Sequence, residues 1–206
     1  MGRGQKRTAS SMNDERWERR LNIDTAARTF EKEDAAHSRY EPTSYAVLER
    51  LAGAGLIGKN DILVDYGCGK GRVGFYLNQV LGCRTIGVEY NQLLCDQAND
   101  NLRQYGGKGV SFVCENAENY AVSDANRFYF FNPFSVSILK SVLRRIYESY
   151  YESPREMRLF FYYATDPYLT CLLNEDMLQP DGDIDCRDLF DGSDSRERIL
   201  IFRIAE

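Results

Sequence analysis

The chain has 206 residues, of which 43% are hydrophobic and 28% charged, and this is the composition of a single globular domain. Its formal net charge of −5 gives the molecule no overall attraction for a phosphate backbone, so nucleic acid is not the expected partner. The only histidine, His37, gives little support to a His-based zinc site, a Ser-His-Asp triad or a Cys-His dyad, and we predict no metal site.

Residues 1–60 divide into a tail and a cap. Residues 1–13 carry glycine, serine and basic side chains with almost nothing apolar, so we predict a disordered tail that either is solvated or contacts RNA or an acidic partner. Within residues 14–60, Pro42 separates a charged region with sparse apolar residues at helical spacing from a helix capped by Thr43 or Ser44. We expect these residues to form a helical lid over a core made of residues 61–206.

From residue 62 onwards, short apolar runs alternate with segments of helical periodicity. Predicted strands cover 62–65, 85–89, 110–114, 127–131 and 158–163, and predicted helices cover 72–81, 92–105, 136–150 and a segment through Leu169, Leu172 and Leu173. The segments 183–189 and 198–204 flank a turn-rich stretch, which predicts a hairpin that inserts one antiparallel strand. Such alternation implies right-handed crossovers, so we predict an α/β sandwich on a mostly parallel seven-stranded sheet that binds ligands at the carboxyl ends of its strands.

Cysteine spacing and hydropathy indicate the compartment. The six cysteines contain no Cys-x-x-Cys pair, and no apolar N-terminal segment has the pattern of a signal peptide. No run approaches the roughly 18 apolar residues that a membrane span needs. We therefore predict reduced thiols, a cytoplasmic location and no membrane partner, and the sequence makes no prediction of the oligomeric state.

A glycine-rich loop follows the first predicted strand. It runs Asp65-Tyr66-Gly67-Cys68-Gly69-Lys70-Gly71, and its spacing resembles motif I of the class I, Rossmann-like S-adenosylmethionine-dependent methyltransferases. The next predicted strand ends in Gly87-Val88-Glu89-Tyr90-Asn91, which is similar to the second motif of that family. The resemblance is best over residues 62–117 and continues to about residue 163. It implies a Rossmann-like three-layer fold that binds S-adenosyl-L-methionine and releases S-adenosyl-L-homocysteine.

The resemblance also implies roles for individual residues. Glycines let the backbone approach a ligand closely, Asp65 attracts the amino group of the methionyl moiety, and Glu89 accepts both ribose hydroxyls. Residues 110–117 resemble the third motif, which meets adenine, although Asn116 stands where aspartate is usual; its carbonyl can still accept a hydrogen bond. The predicted cofactor-binding residues are Tyr40, Thr43, Asp65, Gly67, Cys68, Gly69, Gly71, Glu89, Tyr90, Asn116, Ala117 and Asn132.

A dinucleotide-binding loop is the alternative interpretation of the same glycines. Gly69, Gly71 and Gly74 have the spacing of the Gly-x-Gly-x-x-Gly fingerprint. A nicotinamide or flavin fingerprint, however, counts its first glycine from the end of the strand, which is Gly67 here, and its third position is then Arg72. The methyltransferase register also accounts for Asp65, so it is favoured over a dehydrogenase and over a purely structural turn.

The fourth predicted strand runs into Asn132-Pro133-Phe134-Ser135. This turn is similar to the Asn/Asp-Pro-Pro-aromatic motif of methyltransferases that act on amino or amide nitrogens, with one proline instead of two. It also resembles the acceptor motif of the non-SET histone lysine methyltransferases, whose Tyr-x-Pro-Thr segment is matched by residues 40–43. The resemblance implies that Asn132 and the Pro133 carbonyl accept N–H bonds from an amine and that Phe134 stacks on a planar group. Alternatively, Asn132 caps the following helix.

Two further pairs of residues have more than one interpretation. Tyr40 and Thr43 either close over the cofactor or form a packing turn. Lys70 and Arg72 either meet an anionic partner or form an exposed helix start, which we favour.

The fifth predicted strand ends in Tyr162 and Tyr163, which together with Asp166 either line an acceptor pocket or belong to the core.

The predicted function is that of an N-directed methyltransferase with a small molecule or a protein as acceptor. An RNA or DNA methyltransferase and a non-catalytic nucleotide-binding relative are the alternatives.

Overall fold

The computed structural model describes residues 9–26, 40–192 and 194–205 of the chain. Helices α1 (Ala9–Leu21) and α2 (Tyr45–Gly53) precede the sheet. The strands are β1 (Ile62–Tyr66), β2 (Arg84–Glu89), β3 (Val110–Cys114), β4 (Arg127–Phe130), β5 (Arg158–Tyr162), β6 (Leu178–Asp185) and β7 (Arg198–Ile204). The later helices are α3 (Arg72–Leu81), α4 (Gln92–Tyr105), α5 (Val136–Glu152) and α6 (Asp166–Leu173).

The strands form one sheet in the order β3-β2-β1-β4-β5-β7-β6. Strands β1 to β5 pair in parallel, and β7 runs antiparallel to both of its neighbours. The predicted Rossmann-like α/β fold with its inserted antiparallel strand is therefore confirmed. Because the strand order reverses between β1 and β4, a crevice opens at the carboxyl ends of these two strands.

Apolar side chains cover both faces of the sheet. On one face, α5 and α6 pack against β1, β4 and β5, and the α5 stripe is almost fully buried at Ile138, Leu139, Val142, Leu143 and Ile146. On the other face lie α1, α2 and α3, where the Trp17 ring meets the edge of Tyr76 with centroids 4.8 Å apart. Both faces of the sheet are therefore covered by helices. This leaves the ends of the strands as the place where polar groups can meet a ligand.

Two boundary predictions are wrong. Helix α1 begins at Ala9, so residues 9–13 of the predicted tail are helical, while the rest of that tail and His37 lie outside the described residues. The outer hairpin strand begins at Leu178, and Arg187–Leu189 forms a 3₁₀ turn instead of extending the strand. The Asp185 carboxylate accepts the backbone N–H of Arg187 at 3.0 Å, which offers the chain a turn in place of the ladder.

Two structural features relate to the predicted location and to the predicted reduced thiols. None of these helices is long and apolar enough to cross a membrane. All six cysteines lie in described parts of the chain as free thiols.

Candidate functional site

A cleft lies over the carboxyl ends of β1, β2 and β4. Ten predicted site residues line it: Tyr40, Thr43, Asp65, Gly67, Cys68, Glu89, Tyr90, Ala117, Pro133 and Phe134. Gly69, Gly71, Asn116 and Asn132 are not among the lining residues. The fold thus brings together three sequence motifs and residues 40–44, which we call the cap segment.

Asp65, the penultimate residue of β1, is a buried carboxyl group that lacks a hydrogen-bond donor among the described residues. Its side chain is 3% exposed, and within the described part of the chain its Oδ2 atom has no hydrogen-bond partner. Burial, and then the negative charge of Glu89, raise the pKa of Asp65 to about 8. Buried polar atoms are normally paired, so this atom calls for a ligand that brings a donor or a positive charge.

Glu89 ends β2 beside Asp65 and is tied to the backbone on both sides. Its Oε2 accepts the N–H of Gly69 at 2.9 Å, and its Oε1 accepts the N–H of Asn91 at 3.0 Å. Each carboxylate oxygen has two lone pairs, so both can accept a second donor. A carboxylate held in this way suits a pair of neighbouring hydroxyl groups and fixes the glycine loop at the same time.

The loop glycines make close contacts with other parts of the protein. A Cβ atom on Gly67, where φ is +73°, would lie 2.3 Å from Cβ of Pro133, and one on Gly69 would lie 2.2 Å from the Tyr40 ring. A Cβ atom on Gly71 would lie 2.4 Å from the ring of Phe112. The sequence interpretation assigned these glycines to close ligand approach. Their packing gives a second reason for glycine at these positions. Because they have no side chain, the turn after β4 and the cap segment can pack directly against the loop.

The cap segment is anchored from both ends. The Tyr40 hydroxyl donates to the carbonyl of Thr25 at 2.7 Å, and burial raises the pKa of Tyr40 above its ordinary value. Thr43 is 3% exposed and shares a 3.0 Å hydrogen bond between its Oγ1 and the Tyr129 hydroxyl. Ser44 caps α2 through the N–H of Ala46. These contacts hold the segment across the carboxyl edge of the sheet.

The turn after β4 is fixed by contacts to β5 and α6. Asn132 has a φ of +41°, and its Nδ2 donates to the Tyr163 carbonyl at 2.6 Å. The carbonyl of Phe134 accepts the Tyr168 hydroxyl at 2.6 Å. The hydroxyl of Ser135 accepts the N–H of Ile138, so Ser135 caps α5 and the alternative cap at Asn132 is wrong.

Several aromatic and polar residues of the predicted site lie elsewhere. Asn116 is engaged with its neighbour Glu118, whose N–H donates to Asn116 Oδ1 at 3.1 Å. The Tyr162 and Tyr163 hydroxyls donate to Glu197 and Asp194, each at 2.6 Å, and neither residue lines the cleft.

The exposed helix start expected at Lys70 and Arg72 is wrong, because both side chains are only 3% exposed. Arg72 is buried in ion pairs with Asp14 at 3.3 Å and Glu18 at 3.2 Å. An arginine paired with two carboxylates loses most of the penalty that burial imposes on a lone charge.

Among the cleft-lining residues that sequence reasoning missed are Glu41, Tyr66, Glu115, Tyr129 and Phe131. A signal existed for Glu115, which directly follows a predicted strand, and for Phe131, which ends one as Glu89 does. Tyr129 required knowledge of strand pairing, since it lies in register with Asp65 on the neighbouring strand.

Comparison with known proteins agrees with this geometry. Residues 63–151 match the family described as "Methyltransferase domain". Over 65 residues, or 32% of this chain, the sequence is 42% identical to a Dictyostelium discoideum protein named "Histone-lysine N-methyltransferase, H3 lysine-79 specific". The match spans only 3% of that protein's length.

Two solved structures share the fold. The RNA methyltransferase from Salinibacter ruber in complex with S-adenosyl-L-homocysteine aligns with a TM-score of 0.55 at 21% identity, covering 81% of this chain and 95% of that one. A TehB-like SAM-dependent methyltransferase from Corynebacterium glutamicum aligns with a TM-score of 0.54 at 15% identity, covering 77% and 88% of the two chains. At these identities the likeness concerns the fold alone.

The cleft fits the cofactor of the matched family. Asp65 offers an unsatisfied buried carboxyl oxygen to an amino group, and Glu89 presents two oriented oxygens to a ribose. The glycine loop lies between these two groups and is held to Glu89 by the Gly69 N–H. Motif spacing, strand order and the match of residues 63–151 to a methyltransferase domain therefore point the same way: this part of the chain is similar to the Rossmann-like, S-adenosylmethionine-dependent methyltransferases.

Proposed function

We propose that the chain transfers a methyl group from S-adenosylmethionine to a nitrogen atom of a small-molecule or protein acceptor. The observation that carries this proposal is the packing of the Asn132–Phe134 turn on the glycine loop. A Cβ on Gly67 would lie 2.3 Å from Cβ of Pro133, so the turn and the cofactor loop touch without an intervening side chain. A nucleophile held by the turn is thereby kept beside the cofactor pocket.

Residues on both sides of the glycine loop would hold the cofactor. Asp65 would bind its amino group, Glu89 would bind the ribose hydroxyls, and Tyr90 and Ala117 would form the walls around adenine. The bound sulfonium supplies an already activated methyl group, so the protein mainly has to align a nucleophile and take away its proton. Thr43, fixed by its hydrogen bond to Tyr129, would close the pocket beside the methionyl moiety.

The acceptor side combines an amide with aromatic walls. The 2.6 Å hydrogen bond from Asn132 Nδ2 to the Tyr163 carbonyl fixes the amide plane, so Asn132 Oδ1 can accept an N–H from an amine in a defined direction. Phe134 is 6% exposed and packs against Tyr66 and Phe130, which limits it to a buried wall. The half-buried Phe131 is better placed to stack on an acceptor.

The charges around the cleft favour an amine over a phosphate backbone. The charged side chains that line it are Glu41, Asp65, Arg72, Glu89 and Glu115. The single arginine in this set is already paired with Asp14 and Glu18. A surplus of carboxylates attracts a cationic acceptor and repels a polyanion.

The histone-lysine relative supports transfer to an amine nitrogen, because its name describes such an acceptor. The neighbour named as an RNA methyltransferase shares only the fold, so an RNA or DNA acceptor is the second candidate. A binding assay with RNA separates the two, since phosphate contacts would weaken steeply with salt. We also propose a cytoplasmic location, which the six free thiols support.

Calorimetry with S-adenosylmethionine and S-adenosylhomocysteine tests the proposal directly. We expect micromolar binding of both, equivalent to about −8 kcal/mol. Methyl transfer to a panel of amines and lysine peptides is then followed by mass spectrometry. In Asn132→Ala we expect turnover to fall about 100-fold, as for loss of one oriented polar group. Absence of heat with either ligand would contradict the proposal.

Replacement of Glu89 tests the cofactor assignment. In Glu89→Ala we expect S-adenosylhomocysteine binding to weaken by about 1–3 kcal/mol, because two charge-assisted hydrogen bonds to the ribose are lost. Glu148→Gln is the control, since Glu148 is on α5 and pairs there with Arg145 at 3.2 Å. Titration calorimetry measures both variants. An affinity in Glu89→Ala equal to that of the wild type would show that the ribose is bound elsewhere.

A further inference from the structure

The described segment that follows α1, residues 22–26, is bound to the core by side chains from two helices; we refer to it as the strap. Asn101 of α4 accepts the N–H of Asp24 at 2.9 Å through Oδ1 and donates through Nδ2 to the Asp24 carbonyl at 3.2 Å. The same Nδ2 donates to the carbonyl of Lys70 at 3.2 Å. One buried amide therefore joins the strap to the glycine loop.

Glu18, on α1, collects donors from the strap and from the core. Its Oε2 accepts the N–H of Thr25 at 2.7 Å, and its Oε1 accepts the Thr25 hydroxyl. The same Oε1 accepts the Tyr45 hydroxyl at 2.9 Å and pairs with Nη2 of Arg72 at 3.2 Å. The Glu18 side chain is 12% exposed and does not line the cleft.

Thr25 also contacts one residue that packs on the glycine loop and one that directly follows it. Its carbonyl accepts the Tyr40 hydroxyl at 2.7 Å, and the Tyr40 ring covers Gly69. Its Oγ1 accepts Nε of Arg72 at 2.6 Å, and Arg72 begins α3 directly after Gly71. Glu18 fixes the orientation of Thr25 through two hydrogen bonds, so it also helps to position the Tyr40 ring against Gly69 and the Arg72 guanidinium.

We propose that Glu18 is a positioning residue for cofactor binding: it holds the strap so that Tyr40 and Arg72 keep the glycine loop in its ligand-ready shape. This inference rests on the proposed function for the identity of the ligand. It assigns to α1, which contributes no side chain to the cleft lining, a share in the affinity for S-adenosylmethionine. Coupling of this kind acts through hydrogen-bonded and packed groups that connect the two places.

The variant Glu18→Gln tests the proposal, with Glu49→Gln as the matched control. Glu49 of α2 also binds α1, because its Oε1 accepts the Trp17 indole N–H at 2.7 Å and pairs with Arg16 at 3.4 Å. Neither contact reaches the strap. In Glu18→Gln we expect S-adenosylhomocysteine to bind about tenfold more weakly and to dissociate faster, a size typical of residues that act without touching the ligand. We expect Glu49→Gln to lower the melting temperature and to leave the affinity unchanged.

Hydrogen exchange of the ligand-free protein provides a readout that does not depend on the cofactor. The N–H groups of Gly69 and Gly71 donate to Glu89 and to the Cys68 carbonyl, at 2.9 Å and 2.8 Å. We expect both amides to exchange faster in Glu18→Gln than in Glu49→Gln. Equal exchange in the two variants, or equal affinities, would overturn the proposal. A wild-type protein that fails to bind S-adenosylhomocysteine would instead contradict the proposed function, while the exchange comparison would still decide the role of Glu18.

Discussion

Replacing Asp65 with asparagine is expected to abolish detectable S-adenosylmethionine binding and, at the same time, to stabilise the ligand-free protein at pH 8. The carboxyl group is fully buried, and its Oδ2 has no partner within the described residues. Asparagine keeps the shape and removes the charge that must otherwise be held in a poorly solvated place. We expect a gain of several kcal/mol at pH 8, because each unit by which burial raises the pKa of this carboxyl corresponds to about 1.4 kcal/mol.

The pH dependence of this gain has a defined sign. Because the folded protein raises the pKa of Asp65 to about 8 from an ordinary value of 3.8, the folded state holds a proton that the unfolded state releases. The stability of the wild type therefore falls as pH rises through this window, and the fall ends near pH 8. Urea unfolding from pH 5 to pH 9 should show a difference between variant and wild type that is small at pH 5 and grows towards pH 8. A constant difference would contradict the assignment.

Cofactor affinity should follow the opposite course. Binding of a positively charged amino group requires the ionised form of Asp65, so wild-type affinity should increase between pH 6 and pH 8. Asp61→Asn is the control for both measurements. Asp61 directly precedes β1 and pairs with Arg127 at 3.4 Å at the amino end of the sheet, opposite the carboxyl ends over which the cleft lies. We expect this variant to lose stability and to keep its affinity for S-adenosylhomocysteine.

The sequence predicted the parts of the site that depend on one short segment. Motif I lies directly after an apolar strand, so the positions of Asp65 and the loop glycines at the carboxyl edge followed from local pattern alone. Glu89 followed in the same way from the end of β2. Local patterns were sufficient here because parallel strands place their carboxyl ends side by side.

The parts that depend on distant segments were not predictable. Arg72 stands where an exposed helix start is expected, and its burial depends on Asp14, which is 58 residues earlier in the chain. No spacing rule connects the two. Helix α1 was missed in part because its first turn is polar, although Trp17 and Leu21 bury its inner face. Tertiary pairing, which overrides local propensity, decided each of these cases.

A methyl group added at Gly67 is expected to remove both cofactor binding and a large part of the stability. In Gly67→Ala the new Cβ would lie 2.3 Å from Cβ of Pro133 at a φ of +73°, so the loop and the acceptor turn must separate. Left-handed strain costs about 1–2 kcal/mol and overpacking about 1–3 kcal/mol, so we expect a loss of roughly 2–5 kcal/mol. Affinity for S-adenosylhomocysteine should fall by about 100-fold or more, since the loop backbone moves away from Asp65 and Glu89.

Gly106→Ala separates the two causes. Gly106 has nearly the same φ, +69°, but a Cβ there meets no atom within 4 Å. This variant should therefore show the backbone strain alone, about 1 kcal/mol, and bind the ligand as the wild type does. Contact between the turn and the loop also predicts that Pro133→Gly, which removes the clashing Cβ, restores part of the stability when combined with Gly67→Ala. If the double variant were as unstable as the sum of the two single ones, the turn and the loop would not be coupled through this contact, and the placement of Asn132 beside the cofactor would lose its structural basis.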